Sequence, residues 1–577
     1  MNKEEIKASV IRNAAGLVLN IPVSNSKYRQ FMQEAKTEQM AVLLNQMSLP
    51  GLYRMQRRLF NDCERVQKTI LYEIIRANEN TEFGKAHHFS EFNGIKGYRK
   101  NVPISEWDDY SEAMEALEKG KSDVLFPGKA EYFYVTSGTT GNCKRVPESS
   151  RDTAIREVVG RIKNIEKAVA CDIIPEYIMK NFKVFALTSK LANEQTEGGI
   201  PVGSASGRTA SLESGGGYSK LMACPTDLPN YYDDEDYNYM MLRISLCYRN
   251  VGIIMGNNAA FMENIIHYGE AHAKELIDDI RSGGCKLEVP DELKDSLKDV
   301  MVPLPERANE LEALRREGKF IPKYYWPNLK LASFWLGGSV GVNVKSLRPL
   351  LPNKAKFMDL GYGSSEAKIN IPLEADTPSG ALMTYTEFFE FIPEEGGEPL
   401  MAHELEADKD YEVLLTTNSG LYRYRIHDIV HVDGFIGNTP LLHFATKAGD
   451  IANIAQEKLY GSVLSPLIKD SVADRFKVKA LQVYPDAEAK KYFIYIEPET
   501  ELSEADKSGL SEKVDEYLKK NSHSFGIVRG WAMEAPEVMI MPKGWGELIF
   551  EEYAEGKPNR SQVKVPVVRK TPYIAKE

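Results

Sequence analysis

The run Tyr134-Val135-Thr136-Ser137-Gly138-Thr139-Thr140-Gly141-Asn142-Cys143-Lys144 decides how this chain is read. A strand-like stretch from Tyr132 to Val135 breaks into hydroxyls and glycines, then a lysine. Such a loop offers backbone N–H groups and Ser/Thr hydroxyls to a polyphosphate, and its glycines let the backbone come close. It lacks the G-x-x-x-x-G-K-[ST] spacing of a Walker A loop, which places a lysine and a magnesium-binding hydroxyl. Ser137, Gly138, Thr139, Thr140 and Lys144 are therefore candidate phosphate contacts. The alternative is a strand followed by a plain polar turn.

Two further segments add to this. Asp359-Leu360-Gly361-Tyr362-Gly363-Ser364-Ser365-Glu366 puts an aromatic ring, two hydroxyls and a carboxylate on one glycine-flanked turn. Leu421-Tyr422-Arg423-Tyr424-Arg425-Ile426-His427-Asp428 alternates as a strand does and ends in an acid. A nucleotide needs a wall for its base, an acid for its ribose, donors for its phosphates and a carboxylate near Mg²⁺. Each of the three segments supplies one or two of these. Tyr362 is the expected adenine wall, Gly363, Ser364 and Ser365 line the same turn, Glu366 is the expected Mg²⁺ ligand, and Asp428 is the ribose acid.

The order of these segments resembles that of the adenylate-forming enzymes, which turn carboxylic acids into acyl-AMP. From about Thr81 to near the C-terminus the chain is similar to the Gretchen Hagen family of acyl-acid amido synthetases. The Tyr-Gly-Ser-Ser-Glu turn and the Tyr-Arg-Tyr-Arg-x-x-Asp strand carry most of the likeness, with Val432-Asp433-Gly434-Phe435 and Asn438-Thr439-Pro440 after them. Glu457-Lys458 matches a Glu-Lys pair at the family's interdomain hinge, and Ser561-Gln562-Val563-Lys564-Val565-Pro566 resembles its Gln-x-Lys-x-Pro-Arg segment. Three positions depart from the pattern. His427 stands where the family usually has glycine, Cys143 where many adenylate-forming enzymes have proline, and Val568-Arg569 sits out of step with the terminal Pro-Arg.

The resemblance implies an α/β fold. A large composite N-terminal domain (1–455), with sheets, flanking helices and a barrel-like subdomain, would be joined by a hinge (456–461) to a small α+β C-terminal domain (462–577). It implies ATP and Mg²⁺ as cofactors, with Lys458 as a mobile cation for charge developing on the α-phosphate and Lys564 as a second catalytic candidate. The implied substrates are a small carboxylic acid and an amine, often an amino acid. A thiol acceptor, as in an acyl-CoA ligase, and a catalytically retired nucleotide-binding protein are the alternatives.

Composition fits a globular enzyme. At 577 residues the chain is long enough for three or four domain-sized units, and its 43% apolar and 27% charged residues are ordinary. A net charge of −11 argues against a general nucleic-acid-binding surface. Six scattered cysteines (Cys63, Cys143, Cys171, Cys224, Cys247, Cys285) form neither a disulfide framework nor a zinc pattern, so reduced thiols in the cytoplasm are expected. Ala14 to Val23 reads as a packing helix rather than a signal peptide, and no uninterrupted apolar run reaches the roughly 18 residues of a membrane span.

Along the chain, Val66, Ile70, Leu71, Ile74, Ile75 and Ala77 predict a core-facing helix. Further helices are expected from about Trp107 to Lys119 and from Ser149 to Ala170, the second placing its N-terminal dipole just after the phosphate loop. The Gly/Ser/Thr-rich region from Gly198 to Gly217 reads as a loop, mobile or simply on the surface, with Arg208 a candidate for a substrate carboxylate. Strands are expected at Val251–Met255, around Leu382 and Phe388–Phe391, and at Tyr411–Thr417. In the last part, paired strands should flank a Pro485-Asp486 turn, and Ser503 with Asp506 should cap a helix burying Leu510, Val514 and Leu518.

Overall fold

The computed structural model describes residues 53–135, 144–173, 182–192, 194–213, 221–232, 234–337, 344–394, 396–447, 450–452, 454, 459–486, 488–522, 525, 526, 529, 533–555, 563 and 565–573. The expectations for Ala14–Val23, Ser137–Thr140, Cys143, Lys458 and Lys564 lie outside these residues.

Helix α1 (Cys63–Asn78) carries the expected stripe: Val66, Leu71, Ile74 and Ile75 are buried, and Ile70 and Ala77 lie at its margin. Buried Gln67 on this helix donates to the Thr384 and Glu387 carbonyls at 2.6 and 2.8 Å and accepts from the Phe389 N–H at 2.8 Å. A fully paired buried amide fixes register where apolar packing alone would allow sliding.

Strands β1 (Tyr132–Val135) and β2 (Arg145–Glu148) pair antiparallel on either side of residues 136–143. Helix α2 (Ser150–Ala170) begins at once, because the Ser149 side chain accepts from the Asp152 N–H at 3.1 Å and caps it. Strands β3 (Lys183–Ala186), β4 (Glu194–Gln195) and β5 (Pro201–Gly203) follow, then helix α3 (Ala205–Glu213).

The last two elements correct the expected glycine-rich loop over residues 201–213, and its end, 214–217, lies outside the described residues. Ser204 Oγ accepts from the Gly207 N–H at 3.0 Å and starts the helix. A Cβ on Gly203 would stand 2.3 Å from the Leu191 carbonyl oxygen, and one on Gly207 2.1 Å from that of Lys190. At these two positions glycine permits close packing within regular structure.

Among the described residues, three sheets build the large part. The first runs β2-β1-β5-β4. The second is wholly parallel, β3-β6-β7-β8, with β6 (Val251–Met255), β7 (Leu331–Phe334) and β8 (Lys356–Asp359). Its helical cover includes Asp234–Ser245, Ala259–Ala271, Ala273–Ser282 and Pro305–Arg316, and Met241, Ile254, Ile265, Leu311, Trp326 and Phe334 share its core.

The third sheet is antiparallel and is the strand-dense stretch expected before the hinge. Its strands are β9 (Asn370–Pro372), β10 (Gly380–Leu382), β11 (Phe388–Pro393), β12 (Leu400–Met401), β13 (Asp410–Thr416), β14 (Tyr424–Ile436) and β15 (Thr439–Lys447). Among the described residues their pairing runs β12-β11-β13-β14-β15-β10-β9 without closing.

The chain then pairs β16 (Ile451–Ala452) with β17 (Leu459–Tyr460) and enters a smaller α+β unit. Helices Gly461–Val472 and Leu510–Asn521 pack on the sheet of β18 (Val478–Asp486), β19 (Lys491–Pro498) and β20 (Glu537–Ile540). Ala452, Leu459, Leu464, Ile494, Val514 and Leu518 share its core. The Ser503–Asp506 capping box forms as expected, although its own helix is short and Gly509, with φ 66°, opens the longer one. The expected Pro485-Asp486 reversal falls later. Both residues still pair in the ladder, and Asp486 Oδ1 accepts from the Glu488 and Ala489 N–H groups at 3.0 and 2.9 Å, which turns the chain beyond it.

Candidate active site

The glycine-flanked turn grows from the carboxyl end of β8, where ligand sites of parallel sheets gather. Asp359, the last residue of the strand, accepts from the Leu336 and Gly361 N–H groups, each at 2.6 Å, which folds the chain back on itself. Gly361 has φ 86°, and a Cβ there would stand 2.7 Å from Lys163 Nζ and 2.8 Å from the Asn370 carbonyl oxygen. Only glycine fits this position without strain.

Fully buried Asn370 accepts from the Tyr362 N–H at 2.6 Å and donates to the Leu442 carbonyl at 2.7 Å, which pins the turn to β15. Gly363 bridges to Lys368, and the Ser364 N–H donates to the Ala367 carbonyl at 2.8 Å. Ser364, Ser365 and Glu366 therefore sit on one tight reversal.

Asp428 reaches this turn from β14. The Tyr362 hydroxyl donates to Asp428 Oδ2 at 2.6 Å, and the Tyr362 ring packs against Phe444 with centroids 5.5 Å apart. The residues read separately as base wall and ribose acid thus form one hydrogen-bonded pair. Burial pushes the Tyr362 phenol well up, and the nearby charges of Asp428 and Glu366 push it further. Tyr424, on the same strand as Asp428, is raised by burial first and then by Glu366, Glu106, Tyr110 and Asp428. Lys144 donates from Nζ to the Tyr424 hydroxyl at 3.0 Å and lies over the Trp107 ring at 5.4 Å. Lys144, Glu366 and Asp428 thus act on Tyr424, and Tyr362 joins the group through Asp428, although they come from β2's approach, the β8 turn and β14.

Several supporting residues gave no signal in the sequence. Arg156 on α2 donates to Asp152 Oδ2 at 2.7 Å and to the Ser365 carbonyl at 3.0 Å, and its guanidinium stacks 4.6 Å over the Tyr134 ring. One side chain therefore joins β1, α2 and the Ser-Ser-Glu turn. The only sequence hint is the i,i+4 spacing from Asp152. Glu148, at the end of β2, accepts from the Tyr134 hydroxyl at 2.8 Å and from Arg208 Nε at 2.7 Å. Arg208 also stands 3.7 Å from Glu131. Its charge is answered by these acids, so it is a structural cation here, contrary to its reading as a contact for a substrate carboxylate. Half-buried Lys163 donates to the Leu360 carbonyl at 3.3 Å, and loss of solvent around its ammonium holds it well below the usual lysine range, with Lys368 and Lys167 acting in the same direction.

The donor set fits a hard divalent cation held jointly with phosphate. Glu366 and the Ser364 and Ser365 hydroxyls offer oxygen alone, and among the described residues no group of three or more His, Cys, Asp or Glu could hold a metal by itself. Mg²⁺ is commonly bound in this way, through one or two carboxylates with substrate phosphates and water. The described cysteines are free thiols, and burial pushes that of Cys63 up to about 12. No helix among the described residues is long and apolar enough to cross a membrane.

Comparison with known proteins gives the class. A model of the GH3 family N-terminal domain matches residues 53–356, and one of the GH3 family central domain matches 380–447. A 4-substituted benzoates–glutamate ligase of Arabidopsis thaliana is 25% identical over 500 residues, 80% of this chain and 83% of that protein. A jasmonoyl–L-amino acid synthetase of Nicotiana attenuata is 24% identical over 544 residues, 88% and 91% of the two chains. A solved acyl acid amido synthetase in complex with 2,4-DB shares the fold at TM-score 0.76 and 19% identity, over 91% of this chain and 94% of its own. The chain is an enzyme, a ligase of the acid–amino acid type. It belongs to the GH3 (Gretchen Hagen) family of acyl-acid amido synthetases.

Proposed function

We propose that this ligase activates a small carboxylic acid with ATP and passes the acyl group to the amine of an amino acid. The observation that carries the reading is the convergence of Tyr362, Asp428 and Glu366, from two separate sheets, beside Lys144. A carboxylate oxygen attacks the α-phosphorus of ATP, the bond to the β-phosphate oxygen breaks, and pyrophosphate leaves. The amine then attacks the acyl carbonyl, loses a proton, and AMP departs carrying the oxygen that came from the acid. Because two anions must meet, positioning and charge neutralisation supply most of the rate.

In this reading Ser137, Gly138, Thr139, Thr140 and Lys144 hold phosphates, Gly363, Ser364 and Ser365 line the nucleotide, and Glu366 would hold Mg²⁺. Mg²⁺ supplies charge neutralisation at the phosphates. Tyr362 and Asp428 fix the nucleoside. Lys458, at a hinge over 456–461, and Lys564, on the small C-terminal domain, bring cations to the reacting phosphate. The same reading puts the reaction in the cytoplasm, and the scattered cysteines, free thiols where described, support it. Curated relatives named for amino-acid conjugates support an amino acid over a thiol as acceptor.

The test is pyrophosphate release with MgATP across aryl, indolyl and aliphatic acids, with amino acids or coenzyme A added in separate arms. Turnover that needs both an acid and an amino acid supports the proposal. Turnover with coenzyme A alone, or none across the panel despite ATP binding, overturns it.

A further inference from the structure

Asp428 is aimed by a distortion of the sheet. Glu412 pairs with Ile429 and Leu414 with Arg425, so three residues of β14 (426–428) stand opposite one of β13. Such bulges bend a strand and redirect a side chain next to a site. At the centre of the bulge His427 has φ 57°, a left-handed conformation disfavoured for any residue with a Cβ. Conformations of this kind persist only where the surroundings over-determine them.

The surroundings here are ionic. His427 Nε2 lies 2.9 Å from the Glu106 carboxylate, and Nδ1 lies 3.2 Å from Glu412. Glu412 also accepts from Arg425 Nε and Nη2, each at 2.7 Å, and Arg425 Nη1 stands 4.0 Å from Glu106. Glu106 belongs to the turn entering residues 107–110, Glu412 to β13 and Arg425 to β14 itself, so the cluster ties two other elements to the bulge.

We propose that His427 is a positioning residue for nucleotide binding: held between Glu106 and Glu412, its imidazolium locks the β14 bulge that turns the Asp428 carboxylate onto the Tyr362 hydroxyl. The inference rests on the ribose role given to Asp428 above. Hydrogen bonding to Glu412 raises the imidazole's pKa against the opposing effect of burial, and Glu106 adds to the rise. While Glu106 and Glu412 are ionised, the lock is fully present below the ordinary histidine value of 6.5 and is lost as pH rises through the raised histidine value.

The test is direct titration of MgATP into wild type, His427→Ala, His427→Gly and Glu106→Gln, with steady-state KM and kcat alongside. Alanine keeps the backbone strain and removes the lock, so its dissociation constant for ATP rises about fivefold. Glycine relieves the strain and recovers part of that loss. Glu106→Gln, which leaves the backbone unaltered, gives a smaller rise of about twofold. kcat stays near wild type in all three. The gap between wild type and His427→Gly narrows from pH 6 to pH 9. Wild-type affinity in His427→Ala, or equal losses in His427→Ala and His427→Gly, overturns the proposal. Failure of the wild type itself to bind ATP would instead sink the nucleotide-site reading on which it rests.

Discussion

Replacing Arg156 with methionine tests how far the site depends on a buried ion pair. Asp152 is 3% exposed, and Arg156 Nε is its partner at 2.7 Å. Burial pushes the Asp152 carboxyl up and Arg156 pulls it back, so the variant leaves an acid stranded in the interior. Removing one member of a buried pair costs about 3–5 kcal/mol. The Ser365 carbonyl also loses a charged donor, a further ~1 kcal/mol. Urea unfolding followed by tryptophan fluorescence should show a loss of about 4 kcal/mol for the large N-terminal part. Adding Asp152→Asn should restore roughly half of it, because the orphaned acid is gone. The deficit of the single variant should shrink as pH falls and Asp152 takes up a proton. A loss below ~1 kcal/mol, or a double variant no better than the single, would refute this reasoning.

Glu366→Gln keeps the shape of the turn but removes its carboxylate, so acid-dependent pyrophosphate release should fall at least a hundredfold, most visibly at limiting Mg²⁺; full activity there removes the metal role. Asn370→Ala strips partners from the buried Tyr362 N–H and Leu442 carbonyl. It should cost about 2–4 kcal/mol in denaturant and raise the KM for ATP; a stability loss without the KM change would detach this residue from the site. Burial alone would raise Glu412, but His427 and Arg425 hold it down to about 2. A depressed carboxyl contributes stability that is present above its unfolded value of 4.5 and lost as pH falls through the folded one. Acid titration should therefore show wild type losing about 3 kcal/mol more than Glu412→Gln between pH 5 and pH 2; parallel curves for the two proteins would contradict the assignment.

The sequence was legible where chemistry is local. The stripe of α1, the helix expected from Ser149 to Ala170 and the strand at Val251–Met255 follow from patterns within a few turns of chain, and all three form. The Tyr362–Glu366 turn and Asp428 could be singled out because each motif is continuous in the chain. Long-range partnerships left no such trace. Asn370 reaches Leu442 and Arg156 reaches Ser365, 72 and 209 residues away; nothing near Asn370 in sequence marks it, and the spacing of Arg156 from Asp152 says nothing of Ser365. Glycine misled in one place: between Gly203 and Gly207 it permits contact with the Lys190 and Leu191 carbonyls, and a helix stands where a loop was expected. Arg208 misled for a related reason. An arginine's partner is set by the tertiary fold, and the acids that answer it, Glu148 and Glu131, lie 60 or more residues upstream.

The most direct test of the central claim follows an oxygen atom. A carboxylic acid that supports turnover is labelled with ¹⁸O in its carboxylate and incubated with the enzyme, MgATP and an amino acid, and the phosphorus products are analysed by mass spectrometry. Activation at the α-phosphorus predicts one labelled oxygen in AMP and none in pyrophosphate. Label in inorganic phosphate with ADP as co-product, or unlabelled AMP, would contradict acyl-adenylate chemistry in this protein.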